Sequence, residues 1–373
     1  MLIFVISPKE EIMNVLGIMS GTSMDGIDLA LCSVEANGDD WSVNIKKAVT
    51  IPYSETWRVR LSQLKYQNPE VYARTDVFYG RYLGELASAF EKESGEKIDL
   101  IASHGHTIFH DPKKWLTAQV GDGATMYATS KIPTVHNFRR ADLAAGGQGA
   151  PLVTIGDELL FSEYDACLNL GGFCNLSLKN ASGRMAFDIA PCNIILNRLA
   201  REKKQKMDEG GQIAEQGSII YPLLEALNSV PYYSKKAPKS LGREWINKEF
   251  WHIVRDYDDH SVEDRMKTLV MHIATQIALA LDTYADKAPE DMKILVTGGG
   301  AMNPTLVDFI KTETDSDIVV PDDDMINYKE AMIFALLGVM RVRNLTNVMG
   351  ESTGADYSVI GGSLDGDFSN LIK

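Results

Sequence analysis

Gly17-Ile-Met-Ser-Gly-Thr-Ser-Met-Asp-Gly-Ile-Asp28 joins two apolar, β-like runs, 15–19 and 27–34, through a cluster of small and acidic residues. The spacing predicts a hairpin. Gly21 and Gly26 permit the positive φ of a tight turn, while Thr22, Ser23 and the backbone amides supply a hydrogen-bonding rim that suits an anion such as a nucleotide phosphate. An ordinary glycine-bearing hairpin satisfies the same residues. The stretch is not a Walker loop, because no Gly-Lys-Ser/Thr ending follows.

Working outward, 42–51 reads as a third strand of an antiparallel meander. Helices follow at 55–66 and 71–93, then buried strands at 98–103 and 133–138 with a helix near 124–130 between them. The second half repeats the plan: strands at 167–171, 175–179 and 184–188 echo the first meander. Helices at 193–204, 219–228, 244–256 and 262–285 come next, then a strand at 294–297, a helix at 303–311, a strand at 318–320 and a helix at 328–342. Met266, Leu269, Val270, Ile273, Ile277, Ala280, Leu281 and Tyr284 form a stripe at helical spacing that marks core. The fold class is therefore α/β, and the duplicated opening suggests two related domains around a central cleft, with two unrelated α/β domains as the bland alternative. The expected boundaries are 1–148 for the first domain, including an extension at 1–12, and 149–354 for the second, with 355–373 returning to the first. Segments 207–217 and 229–241 are expected as loops at the cleft.

The chain has 373 residues, 45% of them hydrophobic, enough for two substantial cores. A net charge of −14 argues against nucleic acid as partner, since phosphate-backbone binding relies on clustered Lys and Arg. Cys32, Cys167, Cys174 and Cys192 form no CxxC pair and no disulfide framework, which fits a reducing cytoplasm. The opening seven residues are too short to span a membrane and run into Lys9-Glu-Glu11, so neither a signal nor a membrane anchor is expected.

Four further motifs carry chemistry. Phe187-Asp-Ile-Ala-Pro-Cys-Asn193 ends a strand just before a helix, with Pro191 expected in its first turn. Asp188 there is a candidate general base beside amides that favour an anion; its bland reading is a helix cap. Cys192 in the same turn is expected to be a reactive thiol if exposed. Thr297-Gly-Gly-Gly-Ala-Met-Asn303 lets backbone approach a flat ligand such as a nucleoside, or simply packs a strand against a helix. His104, His106 and His110 lie in one extended run, so zinc is conceivable, yet no companion ligand pair appears and hydrogen bonding to a sugar is the better reading. Arg139 and Arg140 precede a glycine-rich turn, with Asp142 placed to anchor an arginine.

Together these motifs resemble the anhydro-N-acetylmuramic acid kinase family, a branch of the actin, hexokinase and chaperone ATPase superfamily. The likeness covers 13–365 and rests on GIMSGTSMDGID (17–28), SHGHT (103–107), QVGD (119–122), NFRRADLAAGGQGAPLV (137–153), NLGGFCNL (169–176), FDIAPCN (187–193), KSLGREW (239–245), TGGGAMN (297–303) and NYKEAMIFALLG (327–338). It implies two ribonuclease-H-like domains of the sugar kinase and actin ATPase type. It implies ATP and Mg2+, a small anhydrosugar as substrate, no nucleic-acid or membrane partner, and it admits a homodimer. It implies Asp188 as catalytic base. ATP would be held by Gly21, Thr22, Ser23, Met24, Asp25, Gly26, Ile27, Asp28, Gly171, Gly172, Gly298, Gly299, Gly300 and Asn303. Asp25 would hold magnesium through water, and His104, Arg139, Asn169 and Glu330 would bind the sugar. Ile189, Ala190 and Cys192 replace a threonine and two glycines of the usual FDTGPGN and add bulk where phosphate is expected. His106 replaces a glutamine and Asn137 an aspartate. A non-catalytic ATP- or sugar-binding regulator, or a kinase for a related anhydrosugar, is the alternative.

Overall fold

The computed structural model describes residues 12–21, 24, 26–38, 40–181 and 183–371. Contacts divide it into two compact units, one running to Leu160 and resuming at Tyr328, the other spanning Phe161–Asn327.

Unit 1 holds a seven-stranded sheet. Strands β1 (Met13–Ser20), β2 (Gly26–Asn37) and β3 (Asp40–Pro52) form the antiparallel meander, with Gly17 opposite Ala30 and Asp28 opposite Thr50. β4 (Leu100–Asp111) lies parallel to β1, placing Ile18 beside Ser103, and β5 (Leu116–Val120) folds back on β4. β6 (Thr134–His136) is parallel to β4. In unit 2, β7 (Ala166–Leu170), β8 (Phe173–Asn180) and β9 (Gly183–Pro191) repeat the meander, and β10 (Lys293–Thr297) and β11 (Asp317–Val319) extend it in parallel. A short β12 (Ser363–Asp365) returns to pair with β6. The sheet of unit 1 runs β3-β2-β1-β4-β6-β12, with β5 paired to β4 off this path, and that of unit 2 runs β9-β8-β7-β10-β11, so in both an antiparallel meander is followed by two strands parallel to its first. This repeated order is the ribonuclease-H-like plan.

Helices close the sheets where the sequence supplies caps and stripes. The Pro69–Ser94 helix starts where Asn68 accepts the Val71 amide and stops at left-handed Gly95. Tyr79, Leu83, Ala87 and Phe90 form its buried face, and each large apolar side chain so buried stabilises the fold by roughly 1.5–3 kcal/mol. In unit 2 the Val262–Tyr284 helix, capped by Ser261, buries the expected stripe from Met266 to Leu281.

Several expectations shift. The strand expected to end at 103 continues to Asp111, so the extended histidine run belongs to β4, bent at Gly105, whose φ is +73°. The helix expected at 244–256 is broken into Arg243–Trp245, a π-helical stretch Ile246–Phe250 and Trp251–Arg255, which buries both Ile246 and Phe250. The units part at 160/161 and 327/328 rather than at 148/149 and 354/355. The reason is packing: Asp157 forms an ion pair of 2.6 Å with Lys329, and a Cβ on Gly156 would press on Ile333. The Asp323–Val342 helix also crosses β1 so closely that a Cβ on Gly17 would lie 1.8 Å from Ala331 O. The extension at 1–12 falls outside the described residues up to Glu11.

Candidate active site

The hairpin between β1 and β2 is where the sequence placed nucleotide phosphates. Met24 donates its amide to Gly21 O at 3.4 Å and takes φ +66°. Gly26 does not take the left-handed backbone expected of it. It is glycine because a Cβ would stand 2.7 Å from Ile51 O on β3. Ile27 sends its side chain wholly into the core, so only its backbone is available to a ligand. The half-buried carboxylate of Asp28 accepts the Thr50 hydroxyl at 2.7 Å. Thr22, Ser23 and Asp25 lie outside the described residues.

Three expected sugar ligands gather in unit 1. Arg139, at the start of the Arg139–Ala144 helix, donates Nε to His104 Nε2 at 2.9 Å and Nη1 to Gly149 O at 2.6 Å. An accepting Nε2 puts the imidazole proton on Nδ1, which donates to Gly105 O at 2.8 Å. Burial, reinforced by the Arg139 charge, holds His104 well below the usual histidine range, so the ring is neutral. With both nitrogens engaged it has no lone pair left for zinc. Burial also lowers His106, to about 4. Glu330 is solvent-exposed on the Asp323–Val342 helix. Desolvation by the neighbouring protein nonetheless raises its carboxyl, and the Arg139 charge is the main opposing influence. Asp142 does not anchor Arg139 by a hydrogen bond. Its carboxylate accepts the Gly149 amide and the Thr353 hydroxyl, each at 2.6 Å, and so ties down the glycine-rich turn. Asn137 has φ +61°, a left-handed position that asparagine tolerates well.

Unit 2 carries the remaining candidates. A Cβ on Gly298, whose φ is +80°, would reach within 2.3 Å of Asn169 Oδ1, and one on Gly300 within 2.7 Å of Leu170 Cβ. Both glycines are needed for packing on the end of β7. Gly299 meets nothing closer than 3.8 Å and is the one whose surface is open. Asn303 caps the Pro304–Thr314 helix by accepting the Leu306 amide at 3.1 Å.

The neighbourhood of Asp188 differs from expectation. Pro191 closes β9 instead of opening the helix, which begins at Asn193 with Cys192 as its cap residue. The amides of Cys192, Asn193 and Ile194 donate to the carbonyls of Gly171 and Gly172 at 2.9–3.2 Å. Those donors are satisfied within the protein, so this helix end has no free amides for an anion. Nor do the three departures at this motif crowd that surface, since Ile189, Ala190 and Cys192 are buried in the unit's core. Burial pushes the Cys192 thiol up to about 12, the reverse of a reactive cysteine.

Asp188 itself is half-buried on the edge strand β9. It is not a helix cap. The segment expected as a loop at 229–241 laps against it: its amide donates to Lys239 O at 3.0 Å, its carbonyl accepts the Tyr232 hydroxyl at 2.7 Å, and Oδ2 accepts the Leu241 amide at 2.8 Å. Oδ1 has no donor among the described residues. Burial raises the carboxyl to about 6 against the pull of the Leu241 bond, placing it in the range of a general base. Tyr232 and Leu241 escaped the sequence reading, although KSLGREW marked the segment that holds Leu241.

Two sheets of one strand order, a glycine hairpin in the first and a perturbed carboxylate in the second, define a protein of duplicated ribonuclease-H-like units. The chain belongs to the anhydro-N-acetylmuramic acid kinase family, whose pattern it matches over residues 13–365. It is 32% identical over 380 residues to "Anhydro-N-acetylmuramic acid kinase" of Bacillus cereus (strain AH187), covering 94% of this chain and 99% of that one. It is 33% identical over 372 residues to the protein of the same name from Francisella tularensis subsp. novicida (strain U112), covering 94% and 97%. It is thus an ATP-using enzyme of the carbohydrate kinase kind. No helix among the described residues is long and apolar enough to cross a membrane.

Proposed function

We propose that this enzyme opens 1,6-anhydro-N-acetylmuramic acid with water and phosphorylates it from ATP, giving N-acetylmuramic acid 6-phosphate in cell-wall recycling. The observation that carries the mechanism is Asp188, a carboxyl raised to about 6, fixed through one oxygen and without a donor among the described residues at the other. Its free oxygen takes a proton from water as the water oxygen bonds to the anomeric carbon. The bond from that carbon to the bridging oxygen breaks, and the released carbon-six oxygen attacks the γ-phosphorus of ATP, with ADP leaving. His104, Arg139 and Glu330 orient the sugar through one neutral imidazole, one guanidinium and one carboxylate. Asn169 is the fourth residue assigned to the sugar. The hairpin from Gly21 to Asp28 receives the phosphates, and Gly171, Gly172, Gly299 and Asn303 border the adenosine.

Magnesium takes oxygen donors and keeps several waters. Asp25 is the carboxylate assigned to it, through water, and Asp28, in the described part of the hairpin, offers the same donor type. When bound, the ion neutralises charge on the transferring phosphoryl group. Four buried cysteines, with no disulfide among the described residues, suit a reducing cytoplasm. The experiment is a brief incubation with ATP and the anhydrosugar in oxygen-18 water, read by product mass. The product should gain one phosphoryl group and one labelled water; a phosphorylated product that still lacks the water excludes the mechanism.

A further inference from the structure

A pocket of about 660 Å³ in unit 1 is lined from the start of the Pro69–Ser94 helix, from β5 and from the chain around Asn137 and Arg140. None of His104, Arg139 and Glu330 lines it. Three of its residues offer groups to a ligand. Trp115 is 68% exposed and sits at φ +55°, the left-handed position that closes the Pro112–Lys114 turn, where its amide donates to Pro112 O at 2.9 Å and its indole is left open to solvent. Gln119 Nε2 donates to the hydroxyls of Thr117 and Thr107, at 2.9 and 3.3 Å, which fixes the amide. Its Oε1, shielded from bulk water, accepts no hydrogen bond. Arg140 is exposed and has no carboxylate partner among the described residues, whereas Arg139 beside it is engaged with His104.

Tyr72 and Asp76 complete the set, with Asp76 Oδ1 fixed by the Gly121 amide at 2.7 Å. Aromatic faces beside fixed carboxylate and amide groups hold a pyranose ring, because its C–H faces pack on the rings while its hydroxyls bridge the polar groups. A lone guanidinium adds selectivity for a carboxylate. We propose that this pocket binds a sugar carrying a carboxylate, recognised by Trp115, Gln119 and Arg140. The proposal rests on the kinase reading above for the source of such a group, the lactyl ether that distinguishes muramic acid from glucosamine. That ether belongs either to the reacting sugar itself or to a second muramic sugar bound alongside.

The test titrates the full-length protein with 1,6-anhydro-N-acetylmuramic acid and with 1,6-anhydro-N-acetylglucosamine, which lacks the carboxylate. Fluorescence and calorimetry follow binding in the wild type, Arg140→Ala and Trp115→Phe. The preference for the muramic sugar should fall about tenfold or more in Arg140→Ala, the loss expected for one charge-assisted hydrogen bond. The fluorescence response should largely vanish in Trp115→Phe. One sugar per chain in the wild type assigns the carboxylate to the reacting sugar; two, falling to one in Arg140→Ala, assigns it to a second molecule. Unchanged preference and unchanged fluorescence in the two variants overturn the proposal. Absence of turnover on both sugars would sink the kinase reading alone, because the binding titration decides the pocket independently.

Discussion

Replacing Asp188 by asparagine should kill the enzyme and yet make it more stable at neutral pH. The carboxyl has an ordinary value of 3.8 and titrates at about 6 in the folded chain. Because the folded value is the higher, the stabilising contribution is fully present below pH 4 and is lost as pH rises through 6. Ionising the group in place therefore costs the fold at most about 3 kcal/mol at pH 7. Asparagine keeps an oxygen for the Leu241 amide and carries no charge, so it avoids that cost. Thermal unfolding of both proteins should coincide near pH 4 and diverge between pH 4 and 7, with the variant the more stable by up to that amount. Turnover should drop by a hundredfold or more, and in the wild type it should fall about tenfold per pH unit below 6. A variant equally or less stable than wild type at pH 7, with a difference that ignores pH, would refute the account of a buried, ionised base.

Lys329→Met should destabilise the protein by about 3–5 kcal/mol in denaturant titration, because Asp157 keeps a buried charge without its partner, and adding Asp157→Leu should restore much of it. Gly17→Ala should fail to fold or unfold at much lower denaturant, since its Cβ would collide with Ala331 O; a wild-type midpoint would show that the helix can move aside. Cys192 should resist alkylation in the native protein with or without ATP and react only on unfolding, as a buried thiol raised to about 12 must. Tyr232→Phe should lower kcat more than it raises KM while costing about 1 kcal/mol of stability, because the hydroxyl holds the backbone that carries the base.

Much of this architecture is legible in the sequence because burial writes itself as periodicity. The runs at 15–19 and 27–34 and the stripe from Met266 to Leu281 need no tertiary information to be read. β5 and β12 are short, and polar residues in them leave no comparable trace. The histidine run reads as extended but not as a continuation of the preceding strand, because Gly105 looks like a break and is a bend within β4. At the site, His104, Arg139 and Glu330 could be linked only through the family likeness, since their positions span more than two hundred residues. The anion-ready helix end was misjudged because a partner for its amides, the Gly171–Gly172 carbonyls, is a matter of backbone path.

Asp188 takes its hydrogen bond from the amide of Leu241, and a peptide N–H is common to nineteen of the twenty residues. Aligned relatives can therefore vary freely at position 241 while the base keeps its setting, and a table of invariant residues would pass over the donor altogether. Proline alone removes it. The orientation of the carboxylate is stored in the course of the chain from Tyr232 to Leu241, so transplanting Asp188 with its FDIAPCN motif, without that crossing segment, would carry over the acid and leave its aim behind.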